Sequence, residues 1–447
     1  MKQSAWRYLW KSQDIRNKLL ITLGILILYR LAANVPVPGI NREVLGMLAS
    51  SGGATGNLFN ILDLLSGGTV SNFSVLAMGV YPYITAQIIL QLLVPIIPAL
   101  ERKLKENQRE GQRWMERWTV ILTVPMAALS AVGQINIFNS LTGGQSILNN
   151  FGFSGESLLP TIATLFSMVA GTMFGVWLGQ LISEYGIPNQ GLSLIIFAGI
   201  VSRIPTNLGS ILSDKQSGWW LLLIILAILA LIIFAIVFVQ QGRRHVPVLF
   251  PGRRVGNRMS MPVRSNLPLM INMAGMIPLI FAQSIMTFPA IIASYFVNAE
   301  ALWVQNLAGS ISRTFGGGNA WYALIYFLMV VAFTFFYTDV LFTQQNYGEN
   351  LKRQGAQIPG VVRGAPTQKY LSKVQRRITM PGALFLGFIA VLPFLVGLAL
   401  PIGVSNSGIF LVSAAGLLIV VGVVRDTLNI IETELKLHGY EESLIKG

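Results

Sequence analysis

The chain has 447 residues, of which 53% are hydrophobic and only 11% are charged, and its mean hydropathy is +0.61. This composition excludes an ordinary soluble protein and indicates a chain that crosses a membrane several times. There is no cysteine, and the two histidines, His245 and His438, lie far apart, so we expect no disulfide, no metal site and no histidine-based catalytic centre.

Sequence patterns typical of enzymes are also missing. The chain contains no P-loop, no Gly-x-Ser-x-Gly, no His-Glu-x-x-His and no dinucleotide-binding fingerprint. We therefore expect a protein that is not an enzyme and holds no cofactor. Any energy that its function requires must come from a partner.

Apolar segments along the chain predict ten membrane-spanning helices and an all-α fold. The predicted spans are Leu19–Ala33, Ser74–Ile97, Trp118–Phe138, Leu158–Ile182, Leu192–Leu212, Trp219–Val239, Leu267–Pro289, Trp321–Phe342, Ala383–Ile402 and Ser407–Val424. They divide the chain into an N-terminal segment (1–18), an N-terminal half (19–216), a C-terminal half (217–430) and a tail (431–447). Two halves with five spans each would form an inverted pseudo-repeat if they are related.

Lysine and arginine are distributed unevenly between the two sides of this topology. If the N-terminus is cytoplasmic, 27 of the 32 basic residues fall on that side, in the N-terminal segment, three loops and the residues after the tenth span. Basic residues concentrate on the cytoplasmic side of membrane proteins, so this distribution predicts that both termini are cytoplasmic.

The segment 57–67, which precedes the second span, is too short to cross a membrane. Its apolar residues are Leu58, Phe59, Ile61, Leu62, Leu64 and Leu65, and glycines lie on both sides of them. Eight helical residues rise about 12 Å, whereas the hydrocarbon core is about 30 Å thick. A glycine-hinged stub favours irregular structure that fills or lines a cavity inside the protein. An outer loop with a re-entrant hydrophobic patch is the alternative.

Two predicted cytoplasmic loops, 240–266 and 344–379, are longer and more basic than topology requires. Arginine pairs with carboxylates and phosphates, so we interpret them as docking surfaces for an acidic or RNA-containing partner. The alternative is topology signalling together with attraction to anionic lipid. The candidate docking residues are Arg243, Arg244, Arg253, Arg254, Lys352, Arg353 and Arg363.

Polar residues are scarce within the predicted spans, and no Asp, Glu, Lys or His lies in the middle of one. Ion-coupled transporters normally need such groups. Thr85, Gln87 and Asn272 are uncharged, and helix–helix hydrogen bonding is the simplest interpretation of them. The fourth span carries three glycines at a spacing of four, Gly171, Gly175 and Gly179, which predicts a close-packing helix face.

Several blocks of sequence resemble the SecY family of bacterial protein-conducting channels, in the same order from about Gln13 to the C-terminus. They are Pro36-Val37-Pro38-Gly39-Ile40, Leu64-Leu65-Ser66-Gly67-Gly68, Pro82-Tyr83-Ile84, Ile195-Ile196-Phe197-Ala198-Gly199-Ile200-Val201, Asn272-Met273-Ala274-Gly275-Met276-Ile277-Pro278, Asn350-Leu351-Lys352-Arg353-Gln354-Gly355 and Ile358-Pro359-Gly360.

The resemblance implies a passive channel in the bacterial inner membrane for unfolded secretory polypeptides and for lateral release of transmembrane segments. Residues 58–65 would form a plug helix below an aliphatic pore ring. Thr85, Gln87 and Asn272 would lie near a lateral gate that responds to signal sequences. The implied ring residues are Val80, Ile84, Ile196, Ile200, Ile280 and Ile419.

The implied partners are the subunits SecE and SecG, with the SecA motor or a translating ribosome at the basic loops. Members of the family often carry an Arg-Pro-Gly tip in the second basic loop, and Arg363 stands one position late for it. Val80 is also smaller than the isoleucine often found at that ring position. An inverted-repeat solute transporter and a poreless membrane insertase or scaffold are the alternatives.

Overall fold

The computed structural model shows a mostly helical protein. It describes residues 12–41, 44, 73–98, 100, 108–141, 147–148, 151–152, 155–202, 218–250, 254–255, 258–259, 263–296, 301–315, 320–399 and 414–437. The predicted plug and Arg253 lie outside these residues.

Twelve α-helices are present in the described residues. They are α1 (Gln13–Ala32), α2 (Tyr81–Ile96), α3 (Gln108–Leu141), α4 (Leu158–Tyr185), α5 (Gly191–Val201), α6 (Gly218–Gln241), α7 (Ile277–Phe296), α8 (Leu302–Phe315), α9 (Ala320–Gln344), α10 (Tyr347–Arg353), α11 (Ala365–Ala399) and α12 (Ala414–Leu437). Each of the ten predicted spans overlaps one of them. By length and composition, three described segments could cross a membrane, namely Glu110–Asn136, Leu158–Tyr185 and Ala320–Arg353, so the count of ten stays a prediction.

The chain forms two compact units. Unit 1 comprises Met1–Ile225, Ser284–Tyr322 and Leu400–Gly447, and unit 2 comprises Leu226–Gln283 and Ala323–Ala399. The division into two halves at residue 217 and the inverted repeat stay predictions.

The glycine face predicted on α4 is the centre of packing in unit 1. Helix α4 contacts α1, α3 and α5. At Gly171 the backbone of Val75 is so close that an added Cβ would lie 2.0 Å from the Val75 carbonyl oxygen. At Gly191, the first residue of α5, an added Cβ would lie 1.8 Å from the carbonyl oxygen of Gly179. Small residues therefore let two backbones approach α4, as the spacing predicted.

The first and the last described helices meet in unit 1. Lys18, in the second turn of α1, forms an ion pair of 2.5 Å with Glu434, near the end of α12. The amino end of the first described helix therefore lies beside the carboxyl end of the last one. This arrangement agrees with the predicted even number of spans, while the cytoplasmic location of the termini stays a prediction.

Unit 2 contains β structure, which corrects the all-α prediction. Strands β1 (Arg243–Phe250) and β4 (Val263–Met270) form an antiparallel pair, and β2 (Arg254–Val255) pairs with β3 (Arg258–Met259). The first basic loop is therefore built as a hairpin. The predicted seventh span, Leu267–Pro289, was wrong at its beginning, because residues 267–270 belong to β4 and the helix begins only at Ile277.

The second basic loop, 344–379, contains helical structure that was not predicted. Helix α11 begins at Ala365, eighteen residues before the predicted start of the ninth span, and its 35 residues rise about 52 Å. The two basic loops share one apolar core, and Leu249 exchanges two backbone hydrogen bonds with Gln357, at 2.8 and 2.9 Å. The buried residues of this shared core are Val246, Val248, Leu269, Phe342, Leu351, Ala356, Ile358, Leu371 and Ile378.

Candidate functional site

A buried, non-helical stretch, residues 73–80, leads into helix α2 in unit 1. The predicted second span began at Ser74, but the helix begins only at Tyr81. The backbone of this stretch is hydrogen-bonded to the segment after α1: Val37 N donates to Phe73 O at 3.1 Å, and Val75 N donates to Val35 O at 2.9 Å. Partners inside the protein satisfy these backbone groups, which is the condition for irregular structure at membrane depth.

Helix α5, which carries Ile196 and Ile200, is held near its carboxyl end by a charged residue of α1. Arg30, in the last turn of α1, donates from Nη2 to the carbonyl oxygen of Gly199 at 3.1 Å. The last four carbonyls of a helix have no partner within it, and a cation stabilises them. Arg30 therefore holds the carboxyl end of α5 at Gly199, which lies between Ile196 and Ile200 in the sequence.

The predicted ring residues come from several elements. In unit 1, Ile196 and Ile200 lie on α5, and Ile419 lies on α12, which contacts α5. Val80 is the residue before α2, and its carbonyl accepts from Ile84 N at 3.2 Å, so the two keep the helical spacing. Ile280 lies on α7 in unit 2. All are buried except Ile84, which is partly exposed, and the ring itself stays a prediction.

Two of the three predicted gate residues make local hydrogen bonds, and Gln87, on α2, is partly exposed. Thr85 donates to Tyr81 O on its own helix at 2.9 Å. Asn272, which is buried, lies in the connection between β4 and α7 rather than within a helix. Its amide nitrogen donates to Gly275 O at 3.1 Å, and its amide oxygen accepts from Gly275 N at 3.0 Å. The amide of Asn272 is therefore engaged in closing this turn, and the gate role stays a prediction.

This geometry predicts how Asn272 variants will behave. Asn272→Ala leaves the partly buried N–H and carbonyl of Gly275 without these partners, which costs about 1 kcal/mol because these groups are not fully buried. Asn272→Asp keeps the acceptor for Gly275 N, but its second oxygen faces Gly275 O and its charge is buried, so it is expected to destabilise the protein at least as much. Thermal unfolding of the purified variants measures the difference. Equal midpoints for Asn272→Ala and the parent protein would show that the turn does not depend on this side chain.

The candidate docking residues that the structure describes are exposed in unit 2. Arg243 and Arg244 lie at the start of β1, while Lys352 and Arg353 lie in the last turn of α10. For Arg254 only the strand position is described. Arg363 is exposed at the tip of the second loop, between Gly360 (φ +78°) and Gly364 (φ +93°). Such backbone angles favour glycine, so these two residues shape the tip that presents Arg363.

A cleft of about 800 Å³ lies beside this tip and was missed as a site. Its lining residues are Asn346, Glu349, Gly364, Ala365, Gln368, Lys369, Ser372, Lys373, Arg376 and Arg377. Arg376 pairs with Asp339 through two nitrogens, at 2.6 and 3.1 Å. The hydrogen bonds and the charge of Asp339 raise the pKa of Arg376 above its usual value, so its guanidinium stays charged. The apolar residues Leu371, Val374 and Ile378, at spacings of three and four, were the sequence signal of a helix here.

Comparison with known proteins identifies the family. The model of the SecY family matches residues 74–428. The protein translocase subunit SecY of Streptomyces scabiei is 34% identical, covering 98% of this chain and 99% of its own. The same subunit of Escherichia coli (strain K12) is 35% identical, covering 97% of this chain and 95% of its own. The chain belongs to the SecY family.

Solved structures show the same fold. The structure of a protein-conducting channel matches with a TM-score of 0.59 and 15% identity, over 98% of this chain and 99% of that one. A second structure, from work on how the plug domain of SecY stabilises the closed state of the translocation channel, matches with a TM-score of 0.58. The matched SecY region, 74–428, contains every predicted ring and gate residue and begins after the predicted plug.

Proposed function

We propose that this chain is the central pore-forming subunit of a protein translocase. It conducts unfolded secretory polypeptides across the cytoplasmic membrane of a bacterium and releases transmembrane segments sideways into lipid. The observation that carries the proposal is the match to SecY translocase subunits over nearly the whole chain. The chain carries out no reaction and needs no cofactor in this proposal, since a motor or a ribosome supplies the energy.

The described interior of unit 1 suits a passive pore better than a coupled transporter. The buried residues of α4 and α5 are apolar residues, glycines and threonines, and the polar groups that are present bond locally. Carriers of protons or sodium ions need ionisable residues near the middle of the bilayer. Stiff β-branched side chains such as those of Val80, Ile196 and Ile200 can seal a pore by excluding water.

The basic loops of unit 2 supply a docking surface in this proposal. Their shared apolar core holds the β1–β4 hairpin and the Arg363 tip as one body, so the exposed arginines and lysines form a stable charged surface. SecA or a ribosome would bind there, and SecE and SecG would complete the channel.

Reconstitution tests the proposed function. The chain, purified with the small single-span subunits that remain bound to it, is placed in vesicles with SecA and ATP. We expect an unfolded secretory reporter to become protected from external protease only when both are added. If small solutes were taken up and no reporter were protected, the solute-transporter alternative would replace the proposal. If transmembrane segments were inserted without any passage of the secretory reporter, the poreless insertase alternative would replace it.

Charge reversal at the loop tip tests the docking surface. Arg363→Glu is expected to weaken binding of SecA or the ribosome by roughly tenfold, because it turns an attraction into a repulsion. Arg253→Glu combined with Arg254→Glu is expected to act in the same direction with a smaller effect. Binding is measured by titration of the reconstituted channel at two salt concentrations.

The matched control is Arg113→Glu, since Arg113 is an exposed arginine at the start of α3, outside both basic loops. All variants should insert normally, because enough basic residues remain to set the topology. If the Arg363→Glu and Arg113→Glu channels bound SecA or the ribosome with equal affinity, Arg363 would act only in setting the topology.

A further inference from the structure

Helix α8 has an exposed apolar strip that the channel function does not use. Trp303 is 71% exposed and Leu307 is 52% exposed, and a spacing of four places them one above the other on the helix. A second strip beside it is turned into unit 1: Ala308 is only 4% exposed, and Val304, Ile311 and Phe315 are partly buried. The apolar side of α8 is therefore twice as wide as the part that the protein covers.

The opposite side of α8 is mostly polar; the exception is Leu302, the first residue of the helix, which is 74% exposed. Gln305 and Asn306 are exposed there, and helical periodicity places Arg313, the only charged residue of the helix, on the same side. Fourteen residues rise about 21 Å, which is too short to cross a hydrocarbon core of about 30 Å. An amphipathic helix of this kind, with tryptophan on its apolar face, is suited to the surface of a bilayer.

The neighbouring helices place α8 at the level of that surface. Five residues link α8 to α7 and four link it to α9, so its ends lie within about 22 and 18 Å of theirs. Both neighbours carry exposed apolar residues in the turns that are nearest to α8 along the chain. These are Ile292 and Phe296 at the end of α7, and Trp321, Leu324 and Leu328 at the start of α9. Helix α9 lies in a segment long and apolar enough to span a membrane, so the start of its exposed apolar residues marks a membrane boundary.

The size of the exposed strip favours lipid over a protein partner. A large aromatic side chain buries about 150–250 Å², so Trp303 and Leu307 together would bury less than half of the roughly 800 Å² that each partner contributes to a stable interface. The polar side carries one charge and offers no complementary patch for a charged partner.

We propose that α8 is a membrane-surface helix that inserts Trp303 and Leu307 into the outer leaflet of the bilayer. This second contact with lipid, parallel to the membrane, fixes the connection between α7 and α9. The unit 1 side of α8 then packs on protein through Ala308 while the other half of its apolar side packs on acyl chains.

The absence of cysteine from the chain allows a direct test. A spin label is attached to each of four single-cysteine variants of the full chain, reconstituted in vesicles of phosphatidylethanolamine and phosphatidylglycerol. Trp303→Cys and Leu307→Cys report on the proposed lipid side, and Gln305→Cys and Asn306→Cys are the matched controls on the opposite side. Collision rates with oxygen, which concentrates in lipid, and with a water-soluble nickel chelate are measured by electron paramagnetic resonance.

We expect labels at positions 303 and 307 to show a several-fold higher ratio of oxygen to nickel collisions than labels at 305 and 306, at a depth of about 5–10 Å below the headgroups. Water accessibility at all four positions would overturn the proposal, since α8 would then lie in solvent. Immobile labels at 303 and 307, shielded from both reagents, would also overturn it, because a protein partner or a second copy of the chain would then cover the strip. Lipid accessibility at all four positions would show an inserted rather than a surface helix.

Discussion

Gly171→Ala is expected to destabilise the protein strongly, whereas Gly175→Ala, one turn further along the same helix, is expected to be close to neutral. At Gly171 the new methyl group would lie 2.0 Å from the carbonyl oxygen and 2.6 Å from the carbonyl carbon of Val75. Both are backbone atoms of a buried stretch and cannot rotate away. Overpacking of this kind costs typically about 1–3 kcal/mol and occasionally more, and a backbone clash belongs at the upper end.

Gly175→Ala is the matched control. The nearest atoms that its methyl group would meet are side-chain carbons of Leu76 and Tyr29 at 3.6 Å, an ordinary contact distance. Alanine also favours a helix interior over glycine by about 0.5–1 kcal/mol. Thermal unfolding in detergent, together with the amount of protein inserted in the membrane, separates the two variants. Similar midpoints for both would show that α4 and residues 73–80 pack less closely than described.

The glycine face illustrates what the sequence could predict. Spacing alone placed Gly171, Gly175 and Gly179 on one side of a helix, and the structure confirms close backbone approaches at the first and third of them. Spacing could not distinguish Gly171 from Gly175, however, because the partner backbone at Val75 lies almost a hundred residues away in sequence. The apolar segments likewise predicted where most of the helices lie. They did not predict helix ends that extend into polar sequence, as at the start of α11.

The β1–β4 hairpin was missed for a different reason. Pro247 and Pro268 both occur in it, and proline usually argues against a strand. Both strands of a two-stranded ribbon are edge strands. A proline is tolerated in such a strand when its nitrogen, which has no hydrogen to donate, lies on the side that faces away from the partner strand. The alternation of exposed and buried residues from His245 to Val248 was the signal of a strand. The many arginines of this segment led to its interpretation as a loop, so the strand was not predicted.

The site was predictable only in part, because its contacts are long-range. Nothing in the order of residues connects Arg30 with the carbonyl of Gly199, 169 positions away. The polar character of Asn272 was visible, but its partner depends on where α7 begins. Two turns with left-handed glycines, at Gly275 and Gly360, likewise decide where Asn272 and Arg363 point.

Deletion of residues 57–67 is expected to leave a folded channel with a much higher closed-state ion conductance. The described residues that come before and after the deleted segment along the chain are anchored independently of it. Phe73 is fully buried, and its carbonyl accepts from Val37 N, so the chain on either side keeps its place in unit 1. A ring of aliphatic side chains alone closes a pore imperfectly, and the apolar stub would fill the remaining space.

A variant of unchanged length separates loss of the plug from shortening of the loop. In it the six apolar residues of the stub are replaced by serine, namely Leu58, Phe59, Ile61, Leu62, Leu64 and Leu65. Serine cannot fill an apolar funnel, so this variant should leak like the deletion if the stub is a plug. Conductance is measured in planar bilayers without substrate or motor, against the parent channel and with thermal unfolding as the check on folding. A closed-state conductance equal to that of the parent in both variants would assign residues 57–67 to an outer loop and leave the seal to the aliphatic ring alone.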